Sequence, residues 1–375
     1  MTIVTRLAAA TAAILVLAVT GCNSGTTEGQ GPVVVSGPPP TQFKWKMVTT
    51  WPPGFPIFQT GVDRFAEDVR VMSGGELDIK VFAGNELVPP LQTFDAVSQG
   101  TVEMGHGAAY YWAGKVPAAQ FMSAVPFGMT AKGMHSWFYS GGGLELWQEL
   151  YEPFNLVPFP MGNSGVQMGG WFNKRIDSLA DLEGLKMRIP GLGGRVLAKA
   201  GGTPVLMAGG EIYTALERNT LDATEWVGPY HDKRLGLDRA ADYYYYPGWH
   251  EPGTALELIV NKGAWDSLPE RLQRIVRVAA MATNLWAYSQ FETLNLQALR
   301  ELRQEGRVNI LPFPDEVLVE LQRLTRETLE EEAAGNADFR RVYEAYKAFR
   351  ADNDAWNEIS DDAYHRARGL GAGRE

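Results

Sequence analysis

The chain has 375 residues, a formal net charge of −10 and a single cysteine. An acidic chain argues against nucleic acid as a partner, because such partners select clustered positive charge, and one cysteine excludes an internal disulfide. An anionic ligand would therefore need locally placed positive charge. The part after residue 42 exceeds the roughly 250–300 residues at which a single core stops growing, so we expect two lobes.

The N-terminus has the pattern of a bacterial lipoprotein. Arg6 precedes an apolar run of 14 residues, which is shorter than the roughly 20 residues of a membrane-spanning helix. The run ends in VTGC, which resembles a lipobox, where the cysteine (here Cys22) is lipidated and becomes the new N-terminus. We predict a signal peptide at 1–21, a lipid-anchored flexible tether at 22–42, and a periplasmic location. An ordinary secretory peptide is the alternative.

The next residues predict parallel βαβ units. Alternating and β-branched residues predict a strand at 43–51, and a helical period covers 56–72. A second strand follows at 77–83, then a short helix at 91–99 and the start of a strand at 104–107. This order is typical of a parallel sheet with crossover helices.

The second half repeats part of this pattern. Segments 91–107 and 211–226 both predict a helix, one turn and a strand, and Gly100 in the first copy aligns with Asn219 in the second. Both residue types tolerate the left-handed backbone that ends a helix. The repeat predicts two related α/β lobes that face a cleft, with chance similarity of short units as the alternative.

The C-terminal third is mainly helical, and its helices are expected to brace both lobes. The predicted elements are helices at 268–305, 315–332 and 336–363 with a strand at 308–313, and the candidate connecting strands between lobes are 159–172 and 255–260. The predicted domains are mainly lobe I at 43–165, mainly lobe II with crossing strands at 166–260, bracing helices at 261–365, and a disordered tail at 366–375.

Catalytic motifs are missing from the sequence, but polar residues stand beside aromatic residues at predicted strand ends. Neither GxSxG nor HExxH nor a convincing P-loop is present. Arg188 lies at the carboxyl end of a predicted strand, where open α/β sheets bind ligands. Glu225 directly precedes Trp226, and Glu251 lies two residues after Trp249. A buried carboxylate there needs an arginine, a proton or a cation such as an oxygen-liganded metal.

Several of these residues also have plain structural explanations. Any one of Tyr110, Tyr111 and the tryptophans could be an ordinary core residue. Asn163 could cap a turn, and Gln167 could face solvent, since it alternates with apolar residues. The residues by themselves leave these alternatives open.

Taken together, six segments resemble the periplasmic solute-binding subunit of TRAP (tripartite ATP-independent periplasmic) transporters. They are WKMVTTWPP, the long run from Gly74 to Lys115, GNSGVQMGGWFNK, LKMRIPGLGG, LDATEWVGPY and YYYYPGWHEPG. Within the family, the 2-oxo acid and lactate branch is most similar, over roughly residues 43–365. The resemblance implies a two-lobed periplasmic-binding-protein type II fold of the α/β class, with the ligand cleft between lobes.

The resemblance also implies specific roles in the site. The family's conserved arginine, which forms a bidentate salt bridge with the substrate carboxylate, matches Arg188. The 2-oxo acid branch holds a metal ion, sodium or calcium, and the matching metal ligands are Gln167, Glu225, Trp226 with its carbonyl, and Glu251. The predicted substrate-binding residues are Arg188, Gln167, Asn163, Tyr110, Tyr111, Trp226 and Trp249. His250 stands where an aromatic such as tryptophan is expected, which leaves the exact acid open.

The implied function is capture of a small 2-oxo or 2-hydroxy monocarboxylate, such as pyruvate or lactate, for delivery to TRAP membrane permease subunits, without enzymatic activity. Some family members dimerise through a swapped C-terminal helix, for which 336–363 is the candidate. One alternative is a lipoprotein carbohydrate-active hydrolase with Glu225 and Glu251 as acid and base, which would need no permanent cation between them. A structural lipoprotein without a cleft is another.

Overall fold

The computed structural model describes residues 42–370. The predicted signal peptide, Cys22 and the tether up to residue 41 lie outside the described residues, as do residues 371–375. The strands are β1 Phe43–Thr49, β2 Leu77–Phe82, β3 Met104–Gly107, β4 Leu156–Asn163, β5 Gly170–Phe172, β6 Lys186–Arg188, β7 Thr203–Val205, β8 Ala223–Thr224, β9 Tyr243–Tyr246, β10 Ala255–Asn261 and β11 Asn309–Pro312.

The helices lie between and after these strands. They are α1 Phe58–Met72, α2 Thr93–Ser98, α3 Ala131–Ser140, α4 Gly143–Tyr151, α5 Gly191–Lys199, α6 Gly209–Glu217, α7 Pro229–Leu235, α8 Lys262–Ser267, α9 Glu270–Glu305, α10 Asp315–Gly335, α11 Ala337–Ile359 and α12 Asp361–Gly369. Across the described range, no helix combines the length and the hydrophobicity that a bilayer crossing requires.

The strands form two sheets with related order. The first has the order β2-β1-β3-β10-β4, and the second, taken from its β7 edge, has the order β7-β6-β8-β5-β9-β11. In each sheet the first three strands are parallel and the fourth is antiparallel to the third. Gly100 and Asn219 both have left-handed backbones, with φ of 71° and 54°. These observations confirm the predicted repeat and the α/β class.

Local sequence explains how the first sheet is covered. In β2 the residues Leu77 and Ile79 are buried while Asp78 and Lys80 are exposed, which is the alternation expected of a strand with one packed face. On α1, Phe58 and Phe65 lie on the buried face, and the helix packs against β2 and α9. The apolar period of α1 therefore buries one helix stripe on the sheet.

The chain crosses between the sheets three times: two crossings are short, and the third runs from β10 to β11 through α8 and α9. The chain leaves β4 of the first sheet and enters β5 of the second through residues 164–169, and it returns from β9 to β10 through residues 247–254. The candidate connecting strand at 159–172 is interrupted at Gly165, whose positive φ of 70° ends the extended run. The predicted domain boundaries near 165 and 260 stay a prediction.

The C-terminal helices contact elements of both sheets. Helix α9 packs against β4 and α1 as well as α7, helix α10 packs against α5, and helix α11 packs against the 3-10 turn at 117–122. The predicted helix at 336–363 is broken at Ser360 into α11 and α12. The prediction of a disordered tail is wrong for 366–369, because α12 continues there with acids in its first turn and arginines in its last, which favours a helix.

Candidate solute-binding site

The site lies where parallel strands of both sheets end. Arg188 is the last residue of β6, and Glu225 directly follows the neighbouring parallel strand β8. A 3-10 turn at Ala109–Trp112, which carries Tyr110 and Tyr111, follows β3 of the first sheet. Carboxyl ends of parallel strands are the usual ligand-binding edge of open α/β sheets, and here two such edges face each other.

The two short crossings bring Gln167 and Glu251 together. Their backbones are hydrogen-bonded: the Gln167 amide donates to the Glu251 carbonyl at 3.2 Å, and the Gly248 amide donates to the Gln167 carbonyl at 2.8 Å. A Cβ on Gly248 would approach that Gln167 carbonyl oxygen to 2.4 Å. A glycine is therefore required at 248 for the crossings to pair this closely.

Arg188 is buried and joins both sides of the site. Its Nη1 donates to Glu225 Oε1, its Nε donates to the Met207 carbonyl at 3.2 Å, and its Nη2 lies 3.4 Å from the Tyr111 hydroxyl. The guanidinium also lies 5.2 Å from the Trp226 ring centroid, within the range of a cation–π contact. A permanent cation is thus fixed beside Glu225, which is the arrangement that the hydrolase alternative excludes.

Glu251 is held by three donors from different segments. Its Oε2 accepts hydrogen bonds from Thr254 Oγ1 at 2.6 Å, from Gln167 Nε2 at 2.7 Å and from the Tyr110 hydroxyl at 3.4 Å. Gln167 Nε2 donates to Ser164 Oγ as well, at 3.0 Å. Gln167 is oriented through Nε2 alone and Glu251 through Oε2 alone. Gln167 Oε1 and Glu251 Oε1 therefore have no hydrogen-bond partner.

Buried oxygens without a hydrogen-bond partner collect at this point. Among the described residues, Gln167 Oε1, Glu225 Oε2 and Glu251 Oε1 are buried side-chain atoms without a partner. Ligand atoms of Glu225, Glu251 and His250 also lie within 4.8 Å of one another. Because buried acceptors that lack partners are costly, a hard cation with oxygen ligands would fit here. These residues therefore fit a metal ion.

Burial and charge shift the pKa values of the site in consistent directions. Burial, with the negative charge of Glu225, raises the pKa of Glu251 well above its usual value, although its hydrogen bond from Thr254 opposes this. Burial lowers the pKa of Arg188, but Glu225 and the nearby tyrosines raise it more, so the net shift is upward. A positive ion beside Glu251 would favour its charged form.

A cavity lies next to these groups, and only some of the predicted substrate-binding residues line it. It is lined by Trp51, Phe58, Tyr110, Tyr111, Ser164, Gln167, Arg188, Trp226, Val227, Thr254 and Leu256. Its presence argues against the alternative without a cleft. Five of the predicted substrate-binding residues are in the lining.

Asn163 and Trp249 are the two predicted substrate-binding residues that this lining does not include. The Asn163 amide donates to the Gly253 carbonyl at 3.0 Å and accepts from the Gly165 amide at 2.8 Å, so both of its polar ends bind backbone. The Trp249 ring packs against Phe127, with centroids 5.9 Å apart. In this structure the first orders a crossing and the second packs in the core, and their part in substrate binding stays a prediction.

Sequence reasoning missed several residues of the site. Ser164 and Thr254 orient Gln167 and Glu251, and each lies within three residues of a residue that we predicted. Trp51 follows β1, so the rule that ligands meet the carboxyl ends of parallel strands could have found it. In the sequence His250 stands out only as a departure from the family pattern, whereas the structure places its ring beside both glutamates.

Two α/β sheets, two short crossings and a polar site between them define a two-lobed periplasmic binding protein. Residues 47–336 match the family model described as bacterial extracellular solute-binding protein, family 7 (DctP). The monocarboxylate 2-oxoacid-binding periplasmic protein of Nostoc sp. strain PCC 7120 is 46% identical over 321 residues, covering 86% of this chain and 88% of that protein. The chain belongs to this family of TRAP solute receptors, and it is a receptor rather than an enzyme.

Solved structures of the family are closely similar. A TRAP solute-binding protein from Colwellia psychrerythraea, with bound calcium and pyruvate, has 44% identity and a TM-score of 0.85, covering 87% of this chain and 100% of that one. A protein from Pseudoalteromonas atlantica, with bound sodium and pyruvate, also has 44% identity and a TM-score of 0.85, covering 87% and 99%. The type II fold of two lobes with C-terminal helices is thereby confirmed.

Proposed function

We propose that this protein captures a small 2-oxo or 2-hydroxy monocarboxylate, with pyruvate and lactate as the leading candidates, together with a calcium or sodium ion. The observation that carries the proposal is the group of buried oxygens without partners on Gln167, Glu225 and Glu251, placed beside the Arg188 guanidinium. The relatives of known structure that bind pyruvate with calcium or sodium support this choice of ligand.

Arg188 is the group that would bind the solute carboxylate. Its Nε and one hydrogen of Nη1 are used by Met207 and Glu225, which leaves N–H groups of both terminal nitrogens for a carboxylate, since a guanidinium carries five N–H donors. A planar fork binds two carboxylate oxygens at once, which lysine cannot do. Tyr110, Tyr111 and Trp226 would form the walls around the solute.

Charge balance explains why a cation accompanies the solute. When Glu251 is charged, as a neighbouring cation would favour, two buried carboxylates and one guanidinium carry one net negative charge, which disfavours an anionic solute. A cation held by Gln167, Glu225, Glu251 and the Trp226 carbonyl would offset that charge. It would also take a carboxylate oxygen and the C2 oxygen of the solute in a five-membered chelate, so plain carboxylic acids would bind less well.

Delivery to a membrane permease follows from membership in the TRAP family, and we propose that Cys22 carries a lipid that keeps the receptor at the membrane. The VTGC sequence and the polar tether at 22–42 support this. Hinged movement of the predicted lobes I and II about the crossings at 164–169 and 247–254 would admit and release the solute.

A homodimer through the C-terminal helices is part of the same proposal. The supporting observation is a set of exposed apolar side chains on α11, on α12 and just after it: Trp356, Ile359, Tyr364 and Leu370. Helix α12 has no buried residue, so these side chains are available to a second copy. Light scattering with and without residues 350–375 would measure the effect: loss of a dimer on truncation supports it, and a full-length monomer contradicts it.

Calorimetric titration tests the binding proposal. The protein, stripped of metal and ligand by unfolding and refolding, is titrated with pyruvate, lactate and acetate, with and without calcium or sodium. Tight metal-dependent binding of pyruvate or lactate, weak binding of acetate and loss of binding in Arg188→Ala are the expected results. Binding of acetate as tight as pyruvate, or binding that survives in Arg188→Ala, would contradict the proposal.

A further inference from the structure

His250 is a buried imidazole without a hydrogen-bond partner. Only 1% of its surface is exposed, and both ring nitrogens lack a partner. Its position is built into the fold, because a Cβ on Gly193 of α5 would come within 2.9 Å of His250 Cβ. Since a buried donor without a partner costs stability, a role that uses this ring is the natural explanation for its place.

The His250 ring lies beside the carboxylates of Glu225 and Glu251 and is not part of the cavity lining. His250 Nε2 is 3.4 Å from Glu225 Oε2, and one nitrogen of His250 lies within 4.8 Å of a carboxylate oxygen of both Glu225 and Glu251. Two ligands on one ion are separated by at most about twice the metal–ligand distance of roughly 2.0–2.4 Å. The three side chains can therefore bind one ion, while the solute contacts residues of the cavity wall.

We propose that His250 supplies a nitrogen ligand to the ion, so that this site, besides calcium or sodium, also binds a first-row transition-metal dication, with zinc as the probe, more tightly than its oxygen ligands alone would. The inference rests on the proposed function, since it concerns the ion that accompanies the solute there. Imidazole suits zinc and its neighbours, whereas calcium favours oxygen ligands alone. One imidazole and two carboxylates would supply three ligands and leave a position open for the solute, as catalytic zinc sites with three protein ligands do.

Metal competition by calorimetry on the metal-stripped protein tests this inference. Zinc and calcium are titrated with and without pyruvate into the wild-type protein, His250→Phe and the control His135→Phe, which removes an imidazole on α3 that contacts Asn284. We expect His250→Phe to weaken zinc binding by at least about 100-fold, beyond the loss typical of groups that only orient a ligand, while calcium binding changes less than about threefold. The control should leave both unchanged.

Cobalt supplies a second readout that does not depend on solute binding. The visible absorption of cobalt bound to the wild-type protein should change in His250→Phe, because a nitrogen ligand is lost. If that variant does not fold, the ring nitrogen chemical shifts of His250 in the wild-type protein should move when zinc is added, and unmoved shifts would overturn the proposal.

Two further outcomes overturn the inference. Equal weakening of zinc and calcium in His250→Phe would mean that the ring only positions Glu225, and unchanged zinc binding would mean that it is no ligand. If the wild-type protein binds pyruvate with calcium but binds zinc no more tightly than His250→Phe does, only this inference fails. Loss of pyruvate binding with every ion would instead contradict the proposed function.

Discussion

The molecule contains two kinds of buried carboxylate, and they differ in how their oxygens are used. Asp232 accepts four hydrogen bonds, from the Trp171 indole, the Tyr244 hydroxyl and the amides of Val227 and Gly228. In contrast, Glu225 and Glu251 each leave one oxygen without a partner. Burial is equally deep in both kinds, so burial alone does not mark a binding site.

Glu257 of β10 repeats the first kind in the other sheet. One of its oxygens accepts from the Trp112 indole and the other from the Tyr151 hydroxyl, at 2.9 Å for the latter. Glu257 and Asp232 thus stabilise the packing within each lobe through fully paired oxygens. The oxygens that matter for binding are those the protein itself does not satisfy, and they lie between the lobes.

Removal of Arg188 should have the largest effect on stability. Arg188→Met leaves Glu225 buried without its cation, so we expect the free energy of unfolding in urea to fall by about 3–5 kcal/mol at pH 7 in metal-free protein. The matched control is Arg195→Met, which breaks an exposed pair with Glu332 and should cost less than about 1 kcal/mol. Similar losses in the two variants would contradict the difference between buried and exposed pairs.

The fully hydrogen-bonded buried carboxylates should make the free energy of unfolding depend on pH. Burial raises the pKa of Glu257 to about 7, against the opposing hydrogen bonds from Trp112 and Tyr151. The folded state therefore holds this proton more tightly than the unfolded state, so the stabilisation is complete below about pH 4.5 and is lost as the pH rises to about 7. Glu257→Gln should flatten the stability profile in this window, by up to about 3 kcal/mol.

Denaturant unfolding of wild-type protein and Glu257→Gln at pH 4.5, 5.5, 6.5 and 7.5 measures this effect. The difference between the two proteins isolates residue 257 from the acids of the binding site. A profile of the same slope in both would mean that Glu257 does not titrate in the window.

Metal addition separates the two kinds of acid directly. An ion at 100 times its dissociation constant should stabilise the folded protein by about 2.7 kcal/mol. We expect this gain in the wild-type protein and in Glu257→Gln, and its loss in Glu251→Gln, whose amide replaces the oxygen that lacks a partner. Thermal unfolding with and without calcium or zinc measures it, and retention of the gain in Glu251→Gln would place the ion elsewhere.

Replacement of an exposed acid should have the smallest effect on the free energy of unfolding. Glu331 pairs with Lys199 across α10 and α5, with its side chain 66% exposed. Glu331→Gln should change the free energy of unfolding by less than about 1 kcal/mol, and less still at high salt. A larger loss in urea unfolding would mean that this contact between α10 and α5 is more than a surface pair.

The sequence predicted the backbone better than the partners of individual side chains. The strand ends that hold Arg188 and Glu225 follow from local patterns and their position in the repeat, and the resemblance adds the metal-ligand roles of Gln167 and Glu251. The sequence leaves the role of Asn163 open, because GNSG does not reveal that its amide donates to the Gly253 carbonyl of the other crossing as well as accepting from the nearby Gly165 amide. Such pairing is set by tertiary structure.

His250 illustrates the remaining limit in physical terms. One sequence position cannot tell whether an imidazole faces solvent, a core or two glutamates, since that depends on Gly193 of a distant helix making room for it. The break at Ser360 is of the same kind, because the helical period of 336–363 continues through it without a proline or glycine.

A crystal structure of the protein grown with pyruvate and calcium tests the central claim most directly. We predict one ion at about 2.3–2.6 Å from oxygens of Gln167, Glu225 and Glu251, with the pyruvate carboxylate on Arg188. An ion bound at another place, or a pyruvate that touches neither the ion nor Arg188, would contradict it.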